Sequence, residues 1–213
     1  MTREAARSAR RSPSKEYDRA YFDRWYREPA TRVAENADLR RRVAQVVATA
    51  ELLLQRPIRS VLDIGCGEAR WREPLRALRP RVRYLGLETS PYARERFGAA
   101  RGVREGSFGS LDRLRSRRFD VIVCADVLHY LSPGEIDAGL AVLPRLLAGI
   151  AFLDVTVRED RPEGDLEGWI SRPASWYFER FHAAGLRDLG MMCWAGPGLE
   201  ERFGAMERPR GRR

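Results

Sequence analysis

The spacing of apolar positions divides the chain into two regimes. Near the amino end, Glu16 to Arg27 (EYDRAYFDRWYR) sets Tyr17, Tyr21 and Trp25 at i, i+4 and i+8, with Phe22 and Tyr26 beside them, which predicts an aromatic-striped helix ended by Pro29. Asp38 to Gln55 carries Leu39, Val43, Val46, Val47, Ala50 and Leu54 on one face, a second helix stopped by Pro57. From Arg59 onward, short aliphatic runs alternate with helical stretches. Strands are expected at 59–64, 83–88, 103–105, 119–124 and 149–157, with helices at about 68–78 and after Ser90-Pro91 and Ser132-Pro133. Each Ser-Pro pair reads as an N-cap followed by proline at the first helical position. A helix over 173–184, stopped by Gly185, a last strand over 186–194 and a short helix over 199–206 complete the pattern. The fold class expected is α/β: a doubly wound, mostly parallel sheet of six or seven strands with helices on both faces and an N-terminal helical cap. Its ligands should sit at the carboxyl ends of the strands. The expected organisation is a flexible basic tail at 1–15, the cap at 16–57, the alternating domain at 58–200 and a basic tail at 201–213.

Composition narrows this picture only slightly. The 213 residues are 44% hydrophobic and 32% charged, which is globular usage, and no apolar run is long enough to span a membrane. The basic amino terminus has no apolar segment, so it is not a secretory signal, and a cytoplasmic location is expected. The net charge of +9 is concentrated at the ends, with +4 in residues 1–15 and +3 in residues 201–213, and the body is nearly neutral. Nucleic-acid binding through these tails is therefore not favoured over solvated ends. Lys15 is the only lysine. Cys66, Cys124 and Cys193 form no CxxC and lie at no metal-ligand spacing from a histidine, so they read as reduced, buried thiols and no metal is expected.

The candidate chemistry centres on RSVLDIGCGEARW, residues 59–71. A strand ends in Asp63, Gly65-Cys66-Gly67 bends the bare backbone, and a helical pattern follows, so a ligand can approach the main chain there. The next strand ends in Glu88, whose carboxylate suits the two hydroxyls of a ribose. Two cofactor classes use such a unit. A dinucleotide needs a third glycine where this chain has Arg70, and its pyrophosphate would meet Glu68.

VLDIGCGEAR, YLGLETS, REGSF and FDVIVCADVLHYL resemble, in order and interval, the successive motifs of the class I S-adenosylmethionine-dependent methyltransferases, over about residues 59–154. The resemblance implies a Rossmann-like methyltransferase fold with S-adenosyl-L-methionine as cofactor, and makes 58–200 the cofactor-binding domain. It further implies that Asp63 and the Gly65, Cys66 and Gly67 backbone hold the amino-acid end of the cofactor and that Glu88 holds its ribose. Thr89 would flank the adenine, Ser107 and Phe108 would meet its edge and face, and Ala125 and Asp126 would line the methionine part. Two departures stand out: Ala69 replaces a common third glycine, and Ser107 replaces a common acid. The family's antiparallel last strand has no clear candidate after Trp194, which leaves the final strand order open.

Methyl transfer from a sulfonium requires an oriented acceptor, a dry site and, for hydroxyl or ammonium acceptors, loss of a proton. His129, a few residues beyond the fourth strand, is the candidate catalytic base, with Tyr130 second and His182 more plainly a packing residue. The acids Glu159, Asp160, Asp165 and Glu167 would favour a cationic acceptor if they face the pocket. The leading reading is O- or N-methylation of a small-molecule acceptor. The alternatives are an RNA or protein methyltransferase tethered by its tails, a noncatalytic cofactor-binding regulatory domain, and nicotinamide redox chemistry. Oligomeric state is not readable.

Overall fold

The computed structural model describes residues 15–28, 31, 36–114, 117–160 and 165–204. The tail residues 1–14 and 205–213, and Pro29, lie outside them. Strands form at Ser60–Ile64 (β1), Arg83–Glu88 (β2), Val103–Glu105 (β3), Phe119–Ala125 (β4), Leu147–Asp154 (β5), Arg187–Asp188 (β6) and Cys193–Ala195 (β7). They make one sheet in the order β3-β2-β1-β4-β5-β7-β6. The first five strands are parallel, and β7 runs antiparallel to both β5 and β6. Because the chain moves from β1 outward through β2 and then returns to β4 on the other side, the crevice between the carboxyl ends of β1 and β4 is the topological switch point.

Helices α1 (Arg19–Tyr26), α2 (Asn36–Leu54), α3 (Arg72–Leu78), α4 (Pro91–Arg101), α5 (Pro133–Leu140), α6 (Leu143–Leu146) and α7 (Ala174–Ala183) surround this sheet. One apolar layer joins Val43, Val46, Val47 and Ala50 of α2 and Leu75 of α3 to Val61, Val121, Val123, Ile150 and Phe152 of the sheet. The other face buries Leu62, Ile64 and Ile122 against Ile136 and Leu140 of α5 and Tyr177 and Phe181 of α7. The alternation of strand residues between these two layers follows from the period of two along a strand. Both Ser-Pro caps form: the Ser90 hydroxyl accepts from the Ala93 amide, and Ser132 and Glu135 close a capping box.

Three expectations are corrected. The apolar stretch 186–194 is not one strand but a hairpin, β6 and β7, turned through Gly190, Met191 and Met192, all with positive φ. The missing antiparallel strand therefore lies inside that stretch, not beyond Trp194. Helix α3 starts at Arg72 instead of near Glu68, because Gly67 and Ala69 sit at φ 52° and 59° and hold the chain in a tight turn. The helix expected after Ser132-Pro133 breaks after Leu140, and Pro144 then lies in the first turn of the short α6.

Helix α5 lies so close to the 3-10 turn after β3 that a Cβ on Gly139 would stand 2.1 Å from Phe108 Cδ1 and 2.5 Å from the Phe108 carbonyl oxygen. Gly139→Ala is expected to cost about 1–3 kcal/mol through overpacking. A urea midpoint unchanged from the parent protein would contradict that contact.

Candidate cofactor and acceptor site

β1 delivers Asp63 to the crevice. The residue is almost wholly buried, and its Oδ2 accepts the Tyr84 hydroxyl at 2.6 Å. Burial, partly offset by Tyr84 and reinforced by the nearby Glu88 charge, pushes its carboxyl up to about 7. Asp120, at the other end of β4, shows the opposite arrangement. Arg56 grips its two oxygens at 2.7 and 3.1 Å, and it is held below the usual carboxylate range despite its burial. Asp120 is a paired structural acid, whereas Asp63 is a desolvated one.

The bend after β1 is built for close approach. Gly65 and Gly67 have φ of 68° and 52°, where a side chain is strained, and a Cβ on Gly65 would meet Val127 Cγ2 at 2.3 Å. The loops after β1 and β4 therefore touch across the switch point. The Gly65 and Cys66 amides both donate to the Leu87 carbonyl, at 2.8 and 3.0 Å, which fixes the bend to the end of β2. Cys66 is a buried free thiol, and its Sγ fills the space where a Cβ on Gly86 would lie 2.6 Å away. Burial pushes the thiol well up, so it acts as filler here.

Glu88 closes the other side. Its Oε2 accepts the Gly67 amide at 2.8 Å, and its Oε1 accepts the Thr89 amide at 2.8 Å and the Ser90 amide at 2.9 Å. The carboxylate thus pins the glycine bend to the start of α4. Asp126, an exposed residue at φ 58° just past β4, completes an anionic rim, and local desolvation of its carboxyl first and the Asp154 charge second push it up to about 6. Ala125 is the half-buried last residue of β4. Ser107 is half-buried beyond β3, and its amide donates to Ser110 Oγ at 2.9 Å. Phe108 departs from expectation: its ring is fully buried in the core beneath α5, leaving no exposed face for a ligand.

Helix α1 lies directly over the bend. A Cβ on Gly67 would stand 2.7 Å from the Tyr26 hydroxyl and 3.3 Å from Phe22 Cε1. Phe22 is buried among Cys66, Ala69, Ala93 and Phe97. The inward stripe is therefore Phe22 with Tyr26, one position on from the expected Tyr21 and Trp25. Two contacts clamp the helix: the Ser90 hydroxyl donates to the Tyr17 carbonyl just before it, and Arg27 just after it pairs with Glu68.

Beyond the end of β4, His129 is buried in a 3-10 turn spanning Leu128–Tyr130. Its Nδ1 accepts the Thr156 amide at 3.3 Å, which places the ring proton of the neutral form on Nε2. Burial, and after it the charge of Lys15, push the imidazole down to about 4. Of the four acids considered in the 158–172 segment, Asp165 turns inward and pairs with Lys15. Glu159 caps the Ala174 amide, and Asp160 accepts from the Val157 amide. The segment is tied down by the Ile170 amide donating to the His129 carbonyl, and by Arg172 reaching the Leu131 carbonyl and the Tyr177 hydroxyl. Residues 161–164 lie outside the described residues.

Residues 62–150 match the model of a methyltransferase domain. That match places a methyltransferase domain within the chain, over less than half of its length. No curated protein matches the chain by sequence. Solved structures with the same fold include a SAM-dependent methyltransferase from Archaeoglobus fulgidus, at 12% identity and TM-score 0.57, covering 79% of this chain and 74% of that one. SAM-bound CalS10, an amino pentose methyltransferase from Micromonospora echinaspora, aligns at 20% identity and TM-score 0.55, covering 74% and 91%. An O-methyltransferase family protein from Burkholderia thailandensis aligns at 16% identity and TM-score 0.51, covering 76% of this chain. The chain spans only 57% of the length of that last protein. The family's cofactor fits the cradle: a bare-backbone bend ringed by Asp63, Glu88 and Asp126 suits a cationic nucleoside and disfavours a pyrophosphate. Among the described residues no helix is long and apolar enough to cross a membrane, and no cluster of three His, Cys, Asp or Glu is placed to hold a metal.

Proposed function

We propose that this chain transfers a methyl group from S-adenosylmethionine to a nitrogen or oxygen of a small molecule. The observation that carries this reading is a buried carboxylate, Asp63, and a second raised carboxyl, the more exposed Asp126, flanking the glycine bend at the switch point. An amino acid bearing a sulfonium supplies the cationic charge such a site lacks. Bound there, the cofactor supplies an electrophilic methyl. Asp63 and the Gly65–Gly67 backbone would hold its amino-acid end, Glu88 and Thr89 its nucleoside end, with the 107–108 backbone at the base edge and Ala125 and Asp126 along the methionine chain.

The chain's own work is positioning and exclusion of water. Helix α1 covers the bend with Phe22 and Tyr26, and the 165–172 segment closes against His129. His129, held by the Thr156 amide and pushed down to about 4, is then a neutral donor through Nε2 that orients an acceptor, not a group that removes its proton. A small-molecule acceptor is supported by the nearly neutral body and by the printed descriptions of structural neighbours, among them an amino pentose methyltransferase and a plantazolicin methyltransferase.

Incubating the protein with methyl-labelled S-adenosylmethionine and fractionated metabolite extracts tests the reading. Label is expected in a low-mass product. Label found only in RNA or protein would replace the acceptor class, and failure to bind S-adenosylhomocysteine would remove the reading altogether.

A further inference from the structure

Lys15 is the only lysine in a sequence whose 38 other Lys and Arg positions are all arginine, and its ammonium is not in solvent. The side chain is 10% exposed and that of its partner Asp165 is 14% exposed. The nitrogen lies 5.4, 5.1 and 4.5 Å from the ring centroids of Tyr17, Tyr21 and Tyr130, and donates to the Glu167 carbonyl at 3.1 Å. Three aromatic rings and one carboxylate around a single cation replace the water that an ammonium gives up on burial. A residue serving only to anchor the chain before α1 would do as well with an apolar side chain, because desolvating an ion pair recovers little net energy. The compact ammonium, among so many guanidinium groups, also matches a cage with room for a point charge rather than a planar fork.

The cage walls come from three segments distant in sequence: the start of α1, the turn after β4 and the 165–167 stretch. The same segments bound the acceptor side of the crevice. Tyr130 adjoins His129, with ring centroids 4.2 Å apart, and both Lys15 and Asp165 act electrostatically on the His129 ring. Tyr17 in turn senses the Glu88 charge across the cofactor cradle.

We propose that this cage is the acceptor subsite, that it binds the ammonium of a primary or secondary alkylamine, and that Lys15 occupies it in the ligand-free chain as an internal stand-in. The assignment of the bound amine as acceptor rests on the methyltransferase reading, whereas binding of the cation does not. The acceptor class is thereby a small amine, and Lys15 must leave before it enters. The ammonium then gives one proton to the Asp165 carboxylate, the freed nitrogen lone pair forms the N–CH3 bond as the S–CH3 bond breaks, and S-adenosylhomocysteine leaves as the neutral thioether. With Lys15 gone, one of the forces that holds the His129 imidazole down also goes.

Selective 13C-lysine labelling gives one Cε signal, since there is one lysine. That signal is expected to be ring-shifted upfield in the free protein and to return to the free-lysine position on titration with n-butylammonium, while n-butanol leaves it in place. An unshifted signal, or one that ignores n-butylammonium, overturns the proposal. By calorimetry, Lys15→Ala is expected to bind n-butylammonium at least about tenfold more tightly than the parent chain. Adding Asp165→Asn should abolish that gain, and equal affinities in all three proteins would also overturn it. S-adenosylhomocysteine binding, measured on the same samples, separates the two readings. Retained nucleoside binding without cation binding removes only the cage, whereas cation binding without nucleoside binding leaves the cage and removes the methyltransferase.

Discussion

S-adenosylhomocysteine is expected to bind more tightly as pH rises from about 5 to about 8, with protons released on binding through most of that range. Asp63 and Asp126 are pushed up to about 7 and about 6, so at pH 6 the free protein holds Asp63 largely protonated. A ligand ammonium favours the ionised carboxylates and draws their pKa values back down. Between about pH 6 and 7 the affinity should therefore gain close to one log unit per pH unit, and it should level off above about pH 8. The folded chain by itself behaves in the opposite sense. A carboxyl raised on folding contributes stability that is present below its ordinary value and is lost as pH climbs through about 7, so the ligand-free protein weakens over the same interval in which the complex strengthens. Asp63→Asn keeps an acceptor for the Tyr84 hydroxyl and the shape of the site. It is expected to cut affinity by about 2 kcal/mol, close to thirtyfold, and to remove one titrating group from the profile. Calorimetry in two buffers of different ionisation heat counts the protons directly. A profile as steep in Asp63→Asn as in the parent would take Asp63 out of the cofactor site.

Glu88→Ala is expected to have a second large effect, on folding as well as on binding. Its carboxylate accepts three backbone amides from two loops, Gly67 on one and Thr89 and Ser90 on the other. Removing it leaves these donors without their charged acceptor, at an expected cost of about 3 kcal/mol in urea unfolding, together with loss of nucleoside binding. Glu88→Gln separates the two roles. Its carbonyl still accepts the Thr89 and Ser90 amides while its amide group opposes Gly67, so stability should fall by less than in Glu88→Ala while affinity falls nearly as far. Full stability in Glu88→Ala would mean that other contacts fix the bend.

The parallel half of the sheet was legible in the sequence because β1, β4 and β5 are largely apolar runs and the helices after β2 and β4 announce their starts. Ser90-Pro91 and Ser132-Pro133 behave in the structure as their local chemistry requires. The β6–β7 hairpin was hidden for a physical reason. Its turn places Met191 and Met192 at positive φ, where glycine or asparagine is the usual signal, so the stretch looked like one strand. Ala69 at φ 59° misled in the same way about the start of α3. The placement of Asp63, the glycine bend, Glu88 and Asp126 at strand ends was legible, and the structure brings them together around the switch point. What periodicity could not supply was anything resting on contacts between distant segments. The Tyr84 hydroxyl on Asp63, the Thr156 amide on His129 and the Lys15–Asp165 pair join residues 21, 27 and 150 positions apart. Phe108 was misplaced because an aromatic after a glycine-serine loop looks the same whether its ring turns toward the ligand or under α5.

The clamp on α1 has a kinetic consequence. Its two anchors, Ser90 before the helix and Glu68 after it, belong to the segments proposed to hold the nucleoside, and its rings rest on Gly67. A ligand that approaches the backbone at Gly67 meets the rings of this helix first, so its entry is expected to displace them. On the function proposed above, sequential loading is then the expected order, donor before acceptor, with the spent nucleoside last to depart. The unseating of these eight residues of aromatic helix is then expected to limit turnover, making the helix a clock for the cycle as well as a cover for it.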